Sequence, residues 1–333
     1  MDGHVQFRPM QAEPLSLPPA ISVVICAYTE ARWHDLVAAV VAGQTQRHPA
    51  HEVIVVIDHN PALLARAASE LPGVVLIENV EQRGLSGARN SGLHVATGEV
   101  VAFIDDDAYG DPDWLESLAA GYADPSVMAV GGTIDPIWER GRPAWFPREF
   151  DWVVGCTYRG MPEGRASVRN LIGCNMSFRK EIFDEVGGFA HSIGRLGDRP
   201  LGGEETELCI RVRQRWPDRT ILFEPRAVVR HRVPAARGTV SYYRSRCYAE
   251  GLSKATVARL VGGGDALSTE RGYALRVLGA RVLRELGGAL RRGEAAALQR
   301  AAAIVFGLGV TTAGFVVGTV LIRGGRVALA NER

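Results

Sequence analysis

Lysine is nearly missing from this 333-residue chain: Lys180 and Lys254 are the only two, and the other basic residues are arginine. That bias is compositional and bears on no function by itself. Net charge is missing too. A value of +1 provides no global field of the kind that marks a nucleic-acid binder. Cysteine is sparse: Cys26, Cys156, Cys174, Cys209 and Cys247 are an odd number, widely scattered, with no C-x-x-C pair. This argues against a disulfide framework or a zinc site and fits a reducing compartment. Residues 1–20 are proline-rich and lack a continuous apolar run, so they read as a loose tail and not as a signal peptide.

What is present has the balance of a globular protein. With 47% hydrophobic and 23% charged residues, the chain can bury the core of one large or two modest domains. From Ile21 onward, short β-branched runs alternate with helical stretches: "ISVVICAY", "HEVIVVID", "GVVLIEN" and "EVVAFID" are separated by segments of about ten residues. That alternation predicts βαβ units and a parallel sheet. Ligands gather at the carboxyl ends of such strands. Here those ends carry Tyr28-Thr29-Glu30, Asp58, Glu78-Asn79 and Asp105-Asp106-Asp107. From Asp135 to Arg169 periodicity fails and loops are expected. Order returns with a strand to Phe178, a helix ended by Gly187-Gly188, a glycine-rich loop, the helical "EETELCIRVRQRW" and a last strand "TILFEPRAVVRHRV".

Three adjacent carboxylates crowd like charge where an apolar strand ends. A polar turn accounts for one or two of them. A pair such as Asp105 and Asp107 also suits a hard divalent cation, which takes oxygen ligands and keeps positions open for phosphate oxygens. Mutual repulsion implies that removing Asp107 should cost little stability.

Five stretches, "SVVICAYTE", "EVIVVID", "RGLSGARNSGLHVATGEVVAFIDDD", "GCNMSFRKEIFDEVGGF" and "GGEETELCIRV", resemble in order the signatures of family-2 glycosyltransferases over roughly residues 22–233. The resemblance implies a GT-A fold, an α/β architecture with a Rossmann-like, mostly parallel sheet and helices on both faces. It also implies sugar transfer from a nucleotide donor with inversion at the anomeric carbon. The implied roles follow position by position. Thr29 and Glu30 hold the nucleoside, Asp58 reaches the base, and Arg83, Gly84 and Arg89 run under the nucleotide. Asp105 and Asp107 form the D-x-D pair around Mn²⁺ or Mg²⁺, Asp106 fills its variable middle, and His231 completes the metal site. Asn175 lines the cleft. Glu205 is the catalytic base; because Glu stands where the family has Asp, Glu204 remains an alternative. "VRQRW" lacks the first Gln of the processive pattern, implying one sugar per encounter.

These readings divide the chain into a GT-A domain at 21–240 (a nucleotide-binding half to 110, an acceptor half from 111), a partly amphipathic helical extension at 241–300, and a tail at 323–333. Between the last two, residues 301–322 carry no charge and would make a helix of about 33 Å, long enough to cross a hydrocarbon core. The alternative is a buried core helix. As an anchor it should come off without disturbing the catalytic core, and Gly314-x-x-x-Gly318 could meet another membrane helix. Leu275, Leu278, Val282, Leu286 and Leu290 stand at helical spacing among arginines, as on a bilayer-surface helix or a packed surface helix. From Arg211 to Arg246 ten arginines face two acidic residues, a local charge suited to lipid headgroups or a phosphate-bearing acceptor. The expected partners are a nucleotide-diphosphate sugar, a UDP-sugar foremost, a lipid-linked or glycan acceptor and the membrane, with no nucleic acid. The expected location is the cytoplasmic face of the cell membrane, single-pass or peripheral. Two other classes compete: a metal-dependent nucleotidyltransferase, whose Gly-rich, Lys-bearing loop "AYTEARW" does not supply, and a non-catalytic scaffold, against which the acids at 105/107 and 204/205 speak.

Overall fold

The computed structural model describes residues 18–194, 201–263 and 273–324. The expected N-terminal tail as far as residue 17, residues 195–200 of the glycine-rich loop, residues 264–272 of the helical extension and the tail from 325 lie outside the described residues.

β1 (Ile21–Ala27), α1 (Trp33–Gln44), β2 (Glu52–Ile57), α2 (Pro61–Glu70), β3 (Val75–Glu78), α3 (Leu85–Val95) and β4 (Val100–Asp105) follow in the expected alternation. Their strands lie in the order β3-β2-β1-β4, all parallel, with Cys26 of β1 opposite Asp105 of β4. β1 and β4 are buried along nearly their whole length because helices cover both sheet faces. Continuous Val/Ile runs are what such a position requires.

The second half continues the same sheet but mixes directions. Its elements are β5 (Ala108–Gly110), α4 (Trp114–Gly121), β6 (Val127–Trp138), β7 (Ala166–Ser167), β8 (Asn175–Arg179), α5 (Ile182–Val186), α6 (Glu204–Arg215) and β9 (Thr220–Val233). β8 runs antiparallel to β4 and β6, β6 runs parallel to β9, and β5 runs antiparallel to β9. One register matters for the site: Ala108 pairs with His231, so the chain that leaves the aspartates is clamped to the strand carrying the histidine.

Within 135–169 the chain is more ordered than its lack of periodicity implies. β6 extends to Trp138, a 3₁₀ helix spans Arg148–Val154, and Phe146 packs edge-on against Trp138 and Tyr243 at 5.2 and 5.4 Å. Aromatic contacts of this kind need no amphipathic repeat.

Three helices close the described chain: α7 (Val240–Val261), α8 (Gly279–Arg292) and α9 (Ala295–Arg323). The charge-free 301–322 run lies wholly inside α9. Gly307, Gly314 and Gly318 of this run meet α7. A Cβ on Gly314 would lie 2.2 Å from the Tyr248 carbonyl, and one on Gly251 would lie 2.1 Å from the Thr311 carbonyl. Only glycine permits that approach. The contact is fixed at its start by Tyr243, whose hydroxyl donates to the Ala303 carbonyl at 2.9 Å, while Arg300 ties α9 to α8 through Glu285 at 2.9 Å and also pairs with Glu294 at 3.0 Å.

Candidate active site

The carboxyl ends of β1, β2 and β4 open onto a solvent-exposed cleft lined among others by Tyr28, Arg32, Asp58, Gly84, Asp105 and Asp106. The turn after β1 is built by Thr29, whose hydroxyl caps a short helix by accepting from Ala31 N at 3.3 Å; Glu30 stands exposed beside it. From this turn it is Tyr28 and Arg32 that line the cleft. Asp58 accepts from Asn79 at 2.6 Å and, through its other oxygen, from Gly84 N at 3.0 Å. It therefore holds the turn into α3, where Gly84 has φ +130°, a conformation open to glycine and rarely to other residues. Arg83 is directed at the His59 carbonyl, 3.0 Å away.

The three aspartates have separate environments. Asp105 is a third exposed at the cleft wall and accepts from Arg89 at 3.3 Å. Asp106 is buried against Arg32 at 2.7 Å, and its other oxygen has no protein partner. Burial pushes its carboxyl up to about 8, Arg32 opposing and the charges of Asp107 and Asp105 adding to the rise. Asp107 is buried too, and burial alone would raise it. His231, Arg237 and Arg32 outweigh that and hold it well below the usual carboxylate range. Its Oδ1 lies 3.2 Å from His231 Nε2, and its Oδ2 meets Arg32 at 3.0 Å and Arg237 at 3.1 Å. The expectation that Asp107 sits among repelling charges is thereby corrected: two arginines and a histidine surround it.

A metal group can be assembled here. Ligand atoms of Asp105, Cys174 and His231 all lie within 4.8 Å of one another. Carboxylate oxygen and imidazole suit a cation such as Mn²⁺. Cys174 fits less well, since burial raises its thiol well above its ordinary value and keeps it protonated. Asp107 touches His231 but uses both oxygens on protein partners, so a metal that engages it must displace one of them.

Asn175 is corrected. It is buried, its Oδ1 accepts from Trp114 Nε1 at 2.9 Å, and its two N–H groups serve the carbonyls of Thr133 and Ala227 at 3.0 and 2.8 Å. It braces β6, β8 and β9 and has no N–H left for a ligand in the cleft.

The second acidic motif starts α6, after Gly203 at φ +99°. Glu204, Glu205 and Glu207 occupy the first turn, where the helix dipole favours negative charge. Glu204 is buried and accepts from Arg89 at 2.8 Å. Arg89 is itself buried, stacks near the Phe189 ring, and donates to Asp105 and to the Gly173 carbonyl as well. One guanidinium thus ties the donor-side aspartate to the acid helix. Glu205 is placed differently. Burial, then the neighbouring negative charge of Glu204, raises its carboxyl to about 8. Of the two acids, Glu204 is held in an ion pair with Arg89, and Glu205 binds a proton more tightly than an ordinary carboxylate.

Arg32, Arg237 and Cys174 carried no signal in the sequence. The arginines lie 75 and 130 residues from Asp107 and are brought to it by the first turn and by the segment after β9.

The sequence profile of the "Glycosyl transferase family 2" family matches residues 22–187. A glucosyl-dolichyl phosphate glucuronosyltransferase of Haloferax volcanii is 37% identical over 238 residues, covering 70% of this chain and 76% of that protein. Two solved structures share the fold. A mannosyltransferase from Pyrobaculum calidifontis, in complex with GDP-Man and Mn²⁺, has a TM-score of 0.57 at 20% identity, over 95% of this chain and 91% of that one. GalNAc-T7 with UDP, GalNAc and Mn²⁺ has a TM-score of 0.53 at 18% identity, over 94% and 59%. With the ordered acidic motifs, the GT-A architecture and this degree of identity, the chain belongs to glycosyltransferase family 2.

Proposed function

We propose that this transferase moves a sugar, with inversion, from a nucleoside-diphosphate sugar, a UDP-sugar foremost, to a hydroxyl of a polyprenyl-phosphate-linked glycan at the cytoplasmic face of the membrane, one sugar per encounter. The observation that carries the chemistry is Arg89, whose two contacts place the D-x-D rim and the start of α6 on one buried guanidinium. Glu205 beside it has the proton affinity a base needs to accept the acceptor proton as the hydroxyl attacks. Asp58 fixes the Gly84 turn beneath the nucleotide. Asp105 and His231, with Asp107 adjoining, would hold the divalent cation, which when bound neutralises charge developing on the departing diphosphate. The lipid-linked acceptor is supported by the Haloferax relative and by the arginine-rich sequence that precedes the apolar helix, a charge that suits the anionic cytoplasmic leaflet.

The test is transfer by the purified full chain from a panel of UDP- and GDP-sugars to a polyprenyl-phosphate monosaccharide with Mn²⁺ or Mg²⁺. A glycolipid larger by one sugar supports the reading. Transfer only to water-soluble glycans would overturn the acceptor class, and pyrophosphate release without glycolipid would overturn the reaction.

A further inference from the structure

α9 is long and apolar enough to cross a membrane, and one of its sides is packed on α7. One side is covered by α7 along its length: Gly307 faces Tyr243, Gly314 faces Tyr248 and Gly251, and Gly318 faces Ala255. The two helices therefore run side by side in the same direction through this stretch. Along the same stretch α7 carries Arg246, Glu250 and Lys254, paired at 3.3 and 3.2 Å. If α9 stood across the bilayer, the glycine contacts would draw these charges into hydrocarbon with it, where ionised side chains are costly.

Among the described residues, the opposite side of α9 is largely uncovered. Val305, Val316 and Val320 are 60%, 55% and 63% exposed, with Phe306 and Leu308 also exposed beside them. At 100° per residue these positions fall on one half of the helix, opposite Gly307, Gly314 and Gly318, and no charge interrupts them. An apolar face this long is not what a soluble monomer exposes. α8 repeats the pattern: Leu283 and Leu290 are 73% and 88% exposed, Leu286 lies on the same stripe, and exposed Arg284 and Arg291 run along its flank.

We infer that α8 and α9 form an in-plane platform that lies on an anionic phospholipid surface without crossing it. The outward apolar face of α9 and the leucine stripe of α8 enter the acyl boundary, and Arg284 and Arg291 meet phosphate headgroups. This deepens the membrane-association reading above and rests on it. The platform would keep the catalytic half and the C-terminus on the same side, against the bilayer in which a polyprenyl-linked acceptor resides.

Epitopes at both ends of the full chain, in sealed inside-out vesicles from the expressing cells, test the topology. Protease without detergent should remove both epitopes. Protection of the C-terminal epitope until detergent is added means that α9 spans, and the inference is wrong although membrane association stands. Recovery of the chain in the soluble fraction overturns the association itself. A second measurement addresses the headgroup contact: the R284E/R291E variant should bind phosphatidylglycerol-containing vesicles about tenfold or more weakly. Unchanged partition would overturn the role given to the arginines.

Discussion

Glu204 and Glu205 are neighbours in sequence with different surroundings: Glu204 pairs with Arg89, while burial and the charge of Glu204 raise the Glu205 carboxyl. Glu205→Gln keeps size and removes proton-accepting power, so turnover should fall by about a hundredfold or more while donor affinity, measured by calorimetry, stays near wild type. Glu204→Gln acts elsewhere, because it strips Arg89 of its shortest ion pair while leaving Asp105 at 3.3 Å. Loss of one partner of a buried pair costs about 3–5 kcal/mol, so a lower Tm should be its main signature. Should Glu204→Gln abolish turnover at unchanged Tm, Glu204 is the base. The raised Glu205 carboxyl adds a pH signature. As the base it must be deprotonated, so kcat/KM should rise with pH through a limb near about 8, and the limb should vanish in Glu205→Gln. A flat profile across that range contradicts the assignment. Asp107→Ala, innocuous if the aspartates merely repelled one another, instead leaves Arg237 and His231 without their carboxylate and should lower Tm together with metal-dependent donor binding. At this scale the legible part was residue type at strand and helix ends: Asp107 meets His231, and Arg89 joins Asp105 to Glu204. Arg89 was not legible as buried, because an arginine amid serines and glycines on α3 has the composition of a solvated face. Asn175 misled because a polar residue next to a motif reads as a ligand contact when its partners, Trp114, Thr133 and Ala227, are distant in sequence.

Among the elements, the strands read best were those buried on both faces, since β1, β2 and β4 needed unbroken Val/Ile runs. β5 was not separable from the turn before it, being three residues long and defined by pairing with β9 more than 110 residues away. The same holds for 135–169, ordered by aromatic packing without a repeat. α9 was visible as an apolar helix from composition; its docking on α7 was not, because a G-x-x-x-G fits any close helix partner. Gly314→Leu places a side chain against the Tyr248 carbonyl and should break that docking. Limited proteolysis should then cut between α7 and α9, while nucleotide binding at the distant β1–β4 rim persists. Resistance equal to wild type would show that the two helices are not held by this contact.

For the whole molecule, the parallel sheet and its antiparallel continuation bring four separate segments to one cleft, while the C-terminal helices pack against the aromatic segment through Tyr243 and Phe150. Residues 301–322 are docked on α7, so deletion after Arg300 uncovers Gly251 and Tyr243 and should yield an aggregation-prone chain, visible by gel filtration. The central chemical reading is single displacement with Glu205 as base, which requires inversion at the anomeric carbon. The measurement that bears on it most directly is the anomeric configuration of the newly attached sugar, read by NMR from the product of the wild-type chain. Configuration opposite to that of the nucleotide-sugar donor is the expected result; retention of the donor's configuration would contradict a base-assisted in-line attack.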